Sequence, residues 1–438
     1  MPFGDVLLQL LESGWLGLLD YLAAHVLLCL VPAFFIAGYL SLIPKETITR
    51  YLGPKTPRWI SYPAAAVGGF VLAVCSCTIL PLFAGIWKRG AGLGPAVTFL
   101  FVGPAVNILA ISYTGAALGA DIALARLVLA IVFGIVIGLI MAALFKQVET
   151  TPAPAGMFAE SAGMRPALWI VFALLGGVLL AGTLQIDLLT GTLVSITLPL
   201  ELPTGVQTGL DALHLTLQGA LLIILLVIIA PVAWRGLNDV VNGFNRWTWT
   251  TLGLVTATLL IAAPTTASGS LIIHFTGRFA VVGLLLAAIA YTTARYLTRE
   301  ELADWLSETW RFVKQIFPLL IVGVFAAGMV RGIIPQDWIR TLAGENTLWA
   351  NALGVTFGVF MYFPTLVEVP IARMFLDLGM HRGPLLAYLL ADPELSLQSI
   401  LVTGRIMGRK KTATYVSLVA VFSTLAGYLF GAALSLIR

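Results

Sequence analysis

Residues 75–107 read CSCTILPLFAGIWKRGAGLGPAVTFLFVGPAVN, and residues 364–396 read PTLVEVPIARMFLDLGMHRGPLLAYLLADPELS. Pro81, Gly90, Gly94, Pro95 and Pro104 of the first stretch return as Pro370, Gly379, Gly383, Pro384 and Pro393 of the second, each 289 positions later. Gly69 and Gly358 share the same offset. Six Gly/Pro matches in one register are hard to obtain by chance. Polar positions follow them, Ser76 with Thr365 and Asn107 with Ser396. Further upstream the register shifts by two, with Ile43-Pro44 matching Ile334-Pro335 and Gly53 matching Gly344.

Both stretches are apolar runs broken by proline. The whole chain shares that character: 59% of its 438 residues are hydrophobic and 11% charged, and the mean hydropathy is +0.98. Soluble domains carry about 25% charged residues, so a soluble globule, a disordered chain and a nucleic-acid binder are set aside. Long unbroken apolar runs also argue against a β-barrel. The expected fold is an all-α polytopic membrane protein with about twelve spans, in a range of eight to twelve. Two similar four-span repeat units contain the proline-broken helices. The expected organisation is an amphipathic N-terminal segment (1–15), a first repeat unit (16–146), central helices and linkers (147–314) and a second repeat unit (315–438).

Several stretches resist a simple reading. The run 149–165 is a Pro/Ala/Gly-rich linker, and 188–208 reads as a loop or a half-span. Residues 295–314 mix both charge signs with Trp305, Leu306 and Trp310 at amphipathic spacing, so a membrane-surface helix is expected there. Basic residues fall at both ends of 61–87, which leaves the orientation open. No basic n-region marks a signal peptide in the first residues. The net charge of +4 is ordinary for positive cytoplasmic loops.

Repeated halves are common in secondary transporters, with the site at the midplane of their interface. An even number of central spans would make the repeat parallel, and the span count favours that. Proline inside a helix removes one backbone bond and crowds the carbonyl four residues earlier. Pro81, Pro104, Pro370 and Pro393 are therefore expected helix breaks. Gly94-Pro95 and Gly383-Pro384 read as helix starts, and nine further residues rise roughly 13 Å, about half the hydrocarbon thickness. Second half-helices are expected to begin at Gly103-Pro104 and Asp392-Pro393, with their N-termini carrying partial positive charge.

Three acids lie in apolar runs of the second unit: Glu368, Asp392 and Glu394. Their first-unit equivalents are Ile79, Gly103 and Ala105. A carboxylate at membrane depth costs roughly 2.5–3.5 kcal/mol on insertion scales, so it has a function or a partner. Asp392 also fits an N-cap for the expected half-helix, with Glu394 adding charge in its first turn. Glu368 has no capping role; Arg373 is a candidate partner, and proton carriage is the functional reading. Cys75 and Cys77 would converge only if the helix unwinds before Pro81. Two thiols suit a soft ion such as Cu(I) or trivalent arsenic, while small residues at a helix–helix contact are the plain alternative. With three cysteines there is no disulfide framework, and the four histidines show no zinc spacing. Walker A, Gly-x-Ser-x-Gly and His-Glu-x-x-His motifs are absent, so the chain is read as a transporter and not an enzyme.

Cys75-Ser76-Cys77, Pro81, Lys88-Arg89-Gly90 and Gly103-Pro104-Ala105-x-Asn107 together resemble the bacterial predicted-permease family that includes the ArsP organoarsenical efflux permeases. Residues 361–370 and 391–396 resemble the partner motif of one branch. The resemblance covers both repeat units. It implies a multi-pass permease of the bacterial inner membrane and, in the arsenical branch, export of trivalent organoarsenicals, consistent with the thiols. Thr78 departs from the glycine of many members, and the acidic set and the central insert point toward a different branch.

The combined expectation is a proton-coupled efflux permease for a small solute. Cys75, Ser76, Cys77, Thr78, Gly103, Pro104, Asn107, Thr365 and Ser396 would contact substrate, and Glu368, Asp392 and Glu394 would carry the coupling protons. No cofactor and no metal are expected. The expected partners are the lipid bilayer and a small-molecule substrate, with homodimerisation open and no nucleic acid. The competing readings are a permease for another small solute or anion with structural cysteines, and an uncoupled channel or scaffold.

Overall fold

A computed structural model describes residues 3–24, 26–43, 45–72, 76–106, 108–145, 166–183, 187–197, 204–213, 215–266, 272–331, 336–360 and 368–437. The linker 149–165 lies outside them. The first part of the chain forms α1 (Phe3–Ala24), α2 (Val31–Tyr39), α3 (Lys45–Leu52), α4 (Arg58–Leu72), α5 (Ser76–Lys88), α6 (Leu93–Ala105), α7 (Ile108–Leu118) and α8 (Ala120–Leu144). The middle forms α9 (Pro166–Thr183), α10 (Asp187–Thr190), α11 (Thr204–Ala212), α12 (Leu217–Leu237), α13 (Arg246–Ala262) and α14 (Gly277–Tyr296). The last part forms α15 (Arg299–Arg331), α16 (Gln336–Ala343), α17 (Leu348–Phe360), α18 (Glu368–Asp377), α19 (Arg382–Leu395), α20 (Leu397–Met407) and α21 (Arg409–Ile437). Among the described residues six helices are long and apolar enough to cross a membrane, and up to nine spans result if each bent pair counts as one. The chain is therefore a helical multi-pass membrane protein. Among the described residues, 61–87 falls to the helices α4 and α5, and 350–375 to α17 and α18.

The chain divides into two compact units. One comprises residues 1–17, 45–148 and 316–438; the other comprises 18–44 and 149–315. In the first, α6 lies between α4 and α8, and α19 lies between α17 and α21. In addition, α5 packs on α20 and α7 on α18. A shift of 289 positions carries α4 through α8 onto α17 through α21, with ends agreeing to a few residues. Local backbone follows the same register. Gly90 and Gly379 take φ of 90° and 96°, and Gly119 and Gly408 take 113° and 87°, a region where a side chain is strained. These glycines turn the chain into α6 and α19, and into α8 and α21.

Close backbone crossings recur as well. A Cβ on Gly69 would sit 2.9 Å from the Gly103 nitrogen, and one on Gly358 would sit 3.0 Å from the Asp392 nitrogen. A Cβ on Gly138 would lie 2.7 Å from the Gly94 carbonyl oxygen, and one on Gly427 would lie 2.5 Å from that of Gly383. The hydrogen-only side chain lets each helix pair approach at backbone distance.

In the second unit α12 packs on α13 and α9 on α14. Asn245 and Thr248 form a capping box that starts α13. The Trp305 indole donates to the Phe35 carbonyl at 2.8 Å, and the Tyr39 hydroxyl donates to that of Leu168 at 3.0 Å. Two expectations are corrected here. Residues 299–331 form one continuous helix, and Trp305, Leu306 and Trp310 are buried in protein instead of facing headgroups. The all-α class also misses a small antiparallel sheet of order β1-β3-β2, built from β1 (Thr192–Thr197), β2 (Thr265–Thr266) and β3 (Ile272–Thr276). Its strands TLVSIT and IIHFT are rich in the β-branched and aromatic residues that pack well on a pleated surface.

Candidate functional site

The site is built where the long helices of the first unit are interrupted. Helix α6 meets α7 at 47°, and α19 meets α20 at 45°. The expected half-helix starts at Gly103 and Asp392 are corrected by these positions. Pro104 and Pro393 sit inside the last turns of α6 and α19, and the next helices begin only at Ile108 and Leu397. A proline removes a donor toward the residue four earlier, but its own φ is helical, so the chain continues for a short way before breaking. The N-cap position of α20 is Ser396, with φ −55° and ψ 144°. Asp392 therefore caps no helix, and Glu394 lies at the C-terminal end of α19 instead of in a first turn.

With capping removed, the three acids need another account. Glu368, Asp392 and Glu394 are 1%, 2% and 4% exposed. Glu368 pairs with Arg126 of α8, Nη2 to Oε2 at 2.9 Å, and the Arg126 side chain is 0% exposed. Arg126 Nη1 also donates to the Thr114 hydroxyl at 3.4 Å. The Asp392 carboxyl lies within Coulombic range of both Arg126 and Glu368. Glu394 accepts a hydrogen bond from the Tyr415 hydroxyl of α21. Among the described residues, Arg126 Nε, Glu368 Oε1, Asp392 Oδ1 and Glu394 Oε1 are buried without a hydrogen-bond partner. An incompletely bonded buried ion pair contributes little stability on balance, so this arrangement points to use more than to cohesion.

Sequence reasoning missed Arg126 and Tyr415. The signal was present: Arg126 is the single basic residue of the apolar run 120–144, and Tyr415 stands 289 positions after it. The expected partner of Glu368, Arg373, instead pairs with Asp377 at 3.1 Å and donates to the Ala117 carbonyl at 3.2 Å. A turn of helix earlier than Arg126, Asp121 pairs with Arg382, which also donates to the Leu118 carbonyl at 3.2 Å.

Of the other expected site residues, Ser76 and Thr78 are buried on α5, and Gly103 lies against Gly69 and Ile79. Ser396 shares a hydrogen bond with Ser399 at 2.8 Å, and both are buried. Pro81 lies within α5 and Pro370 in the first turn of α18. Cys75, Asn107 and Thr365 lie outside the described residues, as does the Cys77 side chain. Among the described residues no group of three His, Cys, Asp or Glu could hold a metal ion.

A family model described as a predicted permease, ArsP_1, matches residues 13–432. The chain belongs to this family. It is 38% identical over 417 residues to the UPF0718 protein MJ0584 of Methanocaldococcus jannaschii, with 94% of each chain covered. It is also 28% identical over 127 residues to the UPF0718 protein YraQ of Escherichia coli K12, covering 28% of this chain and 35% of that one. No solved structure matches it. Membership makes the protein a membrane permease, and it favours a transporter over an enzyme.

Proposed function

We propose that this permease is a proton-coupled exporter of a small solute, with a trivalent organoarsenical as the substrate to test first, working in a bacterial inner membrane. Two similar halves, α4–α8 and α17–α21, enclose the site. The observation that carries this reading is the fully buried Arg126–Glu368 pair, which ties α8 of one half to α18 of the other. The shared 289-residue register of helix ends, glycine crossings and positive-φ glycines supports the division into halves. Broken helices at membrane depth survive where they are buried in protein or line a cavity, and ionisable groups there mark substrate and proton paths. Arg126 with Glu368 and Asp392 forms the coupling centre, Glu394 with Tyr415 forms a second buried acid, and Ser76, Thr78 and Ser396 offer hydroxyls to the solute. Cys75 and Cys77 supply soft ligands for arsenic.

The test is survival of an arsenic-sensitive bacterium expressing the chain, dosed separately with trivalent methylarsenical and with inorganic arsenite. Protection against the methylarsenical that disappears in Glu368→Gln supports coupled export. Its disappearance in Cys75→Ser/Cys77→Ser as well places the thiols on the path. No protection despite membrane expression sinks the arsenical assignment and leaves a permease for another solute.

A further inference from the structure

Arg126 bonds one carboxylate, Glu368, and lies within Coulombic range of a second, Asp392. Its bond to Glu368 is single, Nη2 to Oε2, where a guanidinium and a carboxylate can form two parallel bonds. Arg126 Nε, Glu368 Oε1 and Asp392 Oδ1 are left without partners among the described residues, although all three side chains are at most 2% exposed. Helix α19, which carries Asp392, packs on α8, which carries Arg126. The three side chains therefore share one buried region on three helices, α8, α18 and α19.

The charge balance of that space has one solution at low cost. One guanidinium neutralises one carboxylate, and a second buried carboxylate with no cation must take a proton. We infer that Arg126 exchanges partners between Glu368 and Asp392, so that the trio holds one proton, resident on Asp392 in the arrangement seen here and on Glu368 after the exchange. In the step itself Asp392 releases its proton as the guanidinium arrives, and Glu368 takes up one proton as the guanidinium leaves. The guanidinium stays charged throughout. Arg126 is thus a positioning residue that selects which acid is neutral. This rests on the proton-coupled reading above and adds the site and the count of the proton.

The surroundings leave the trio largely to itself. Of the helices packed on α8, α18 and α19, α6 and α17 carry no ionisable side chain. Helix α4 carries Arg58 and Tyr62, α7 Tyr113, α20 Arg405, and α21 Arg409, Lys410, Lys411, Tyr415 and Tyr428. Apart from Tyr62, Lys411 and Tyr415 these are exposed, and Tyr415 is engaged by Glu394. On the trio's own helices, Asp121, Arg373, Asp377 and Arg382 pair with one another, and α19 adds Tyr388 and Glu394.

The test needs no substrate. Thermal unfolding of the purified full chain in detergent is compared for Glu368→Gln, Asp392→Asn and the double variant. Each single change leaves Arg126 one carboxylate, so each stays close to the wild type. The double variant strands the guanidinium and its Tm falls by about 3–5 °C. A Glu368→Gln protein that falls as far as the double overturns the exchange, and so does a double variant that keeps its Tm. Infrared spectra give an independent readout in a Glu394→Gln background at neutral pH. The exchangeable stretch of a protonated carboxyl is expected with the trio intact and is lost on adding either Glu368→Gln or Asp392→Asn. If the band persists after Glu368→Gln, Arg126 does not move to Asp392 and the inference fails. Loss of transport alone leaves these two readouts untouched, so failure of the export reading is separately visible.

Discussion

Gly427→Ala tests the helix packing that holds the acids. Helices α19 and α21 cross so closely that an added Cβ at Gly427 would lie 2.5 Å from the Gly383 carbonyl oxygen and 2.7 Å from the Ala387 Cβ. Ordinary carbon contacts are about 3.5–4.0 Å, so the two helices must part by roughly 1 Å. Overpacking of this kind costs about 1–3 kcal/mol. Alanine in a helix interior recovers about 1 kcal/mol over glycine, which leaves a net loss of up to about 2 kcal/mol. Gly404 of α20 is the internal control, because nothing lies within 4 Å of its added Cβ; there alanine should gain up to about 1 kcal/mol. The two variants should therefore differ by about 1–3 kcal/mol, or about 1–3 °C in Tm for a chain of 438 residues, measured by thermal unfolding in one detergent. Gly138→Ala, whose Cβ would meet the Gly94 carbonyl oxygen at 2.7 Å, should fall with Gly427→Ala. If Gly427→Ala melts with Gly404→Ala, the backbone crossing is not there and the reasoning from close approach is wrong.

Tyr415→Phe removes only the hydroxyl that serves Glu394. It should cost about 1–3 kcal/mol by leaving a buried carboxyl bare, and Glu394→Leu in the same chain should return most of the lost Tm. Arg382→Gln breaks the Asp121 pair, whose side chains are 34% and 37% exposed. Its stability cost should stay at or below about 1 kcal/mol, and a drop like that expected for a stranded Arg126 would show the pair to be shielded from solvent.

The membrane class, the two stretches that share one Gly/Pro register and the acids were legible because each is a property of composition or of fixed spacing. Gly/Pro punctuation located helix starts at Gly94-Pro95 and Gly383-Pro384 to within one or two residues. Spacing did not locate the breaks, because proline disrupts the turn before it while accepting helical φ itself. Thus α19 runs on through Pro393 to Leu395. The partner of Glu368 was not legible either. Local spacing offered Arg373, five residues on, whereas the actual partner lies 242 residues away on α8. Only the packing of α7 and α8 with α18 and α19 brings the two together. The small sheet escaped because three helices, α11 to α13, separate β1 from β2 and β3, and period-2 signals of five or six residues are weak among apolar spans.

The three acids belong to the second stretch only, and the offset shows what stands in the first. Glu368 corresponds to Ile79, Asp392 to Gly103 and Glu394 to Ala105, while Arg126 corresponds to Tyr415. Residues 58–144 supply the cation and residues 348–437 supply the carboxylates, so the pair forms once, between the two stretches, and has no twin at the positions 289 residues away. Ile79 is 1% exposed and packs against Gly103. A carboxylate there would be desolvated, with a tyrosine and not an arginine at the place corresponding to Arg126. Ile79→Glu should therefore fail to accumulate as folded protein, since an unpaired buried charge costs several kcal/mol. Adding Tyr415→Arg together with Glu394→Leu supplies the missing cation at the mirrored place and removes the competing acid. Recovery of monodisperse, cooperatively melting protein in that triple variant would show that the halves are interchangeable in geometry and differ in chemistry. A triple variant no better than Ile79→Glu would show that position 415 does not reach position 79, and would sink the correspondence between the two interfaces.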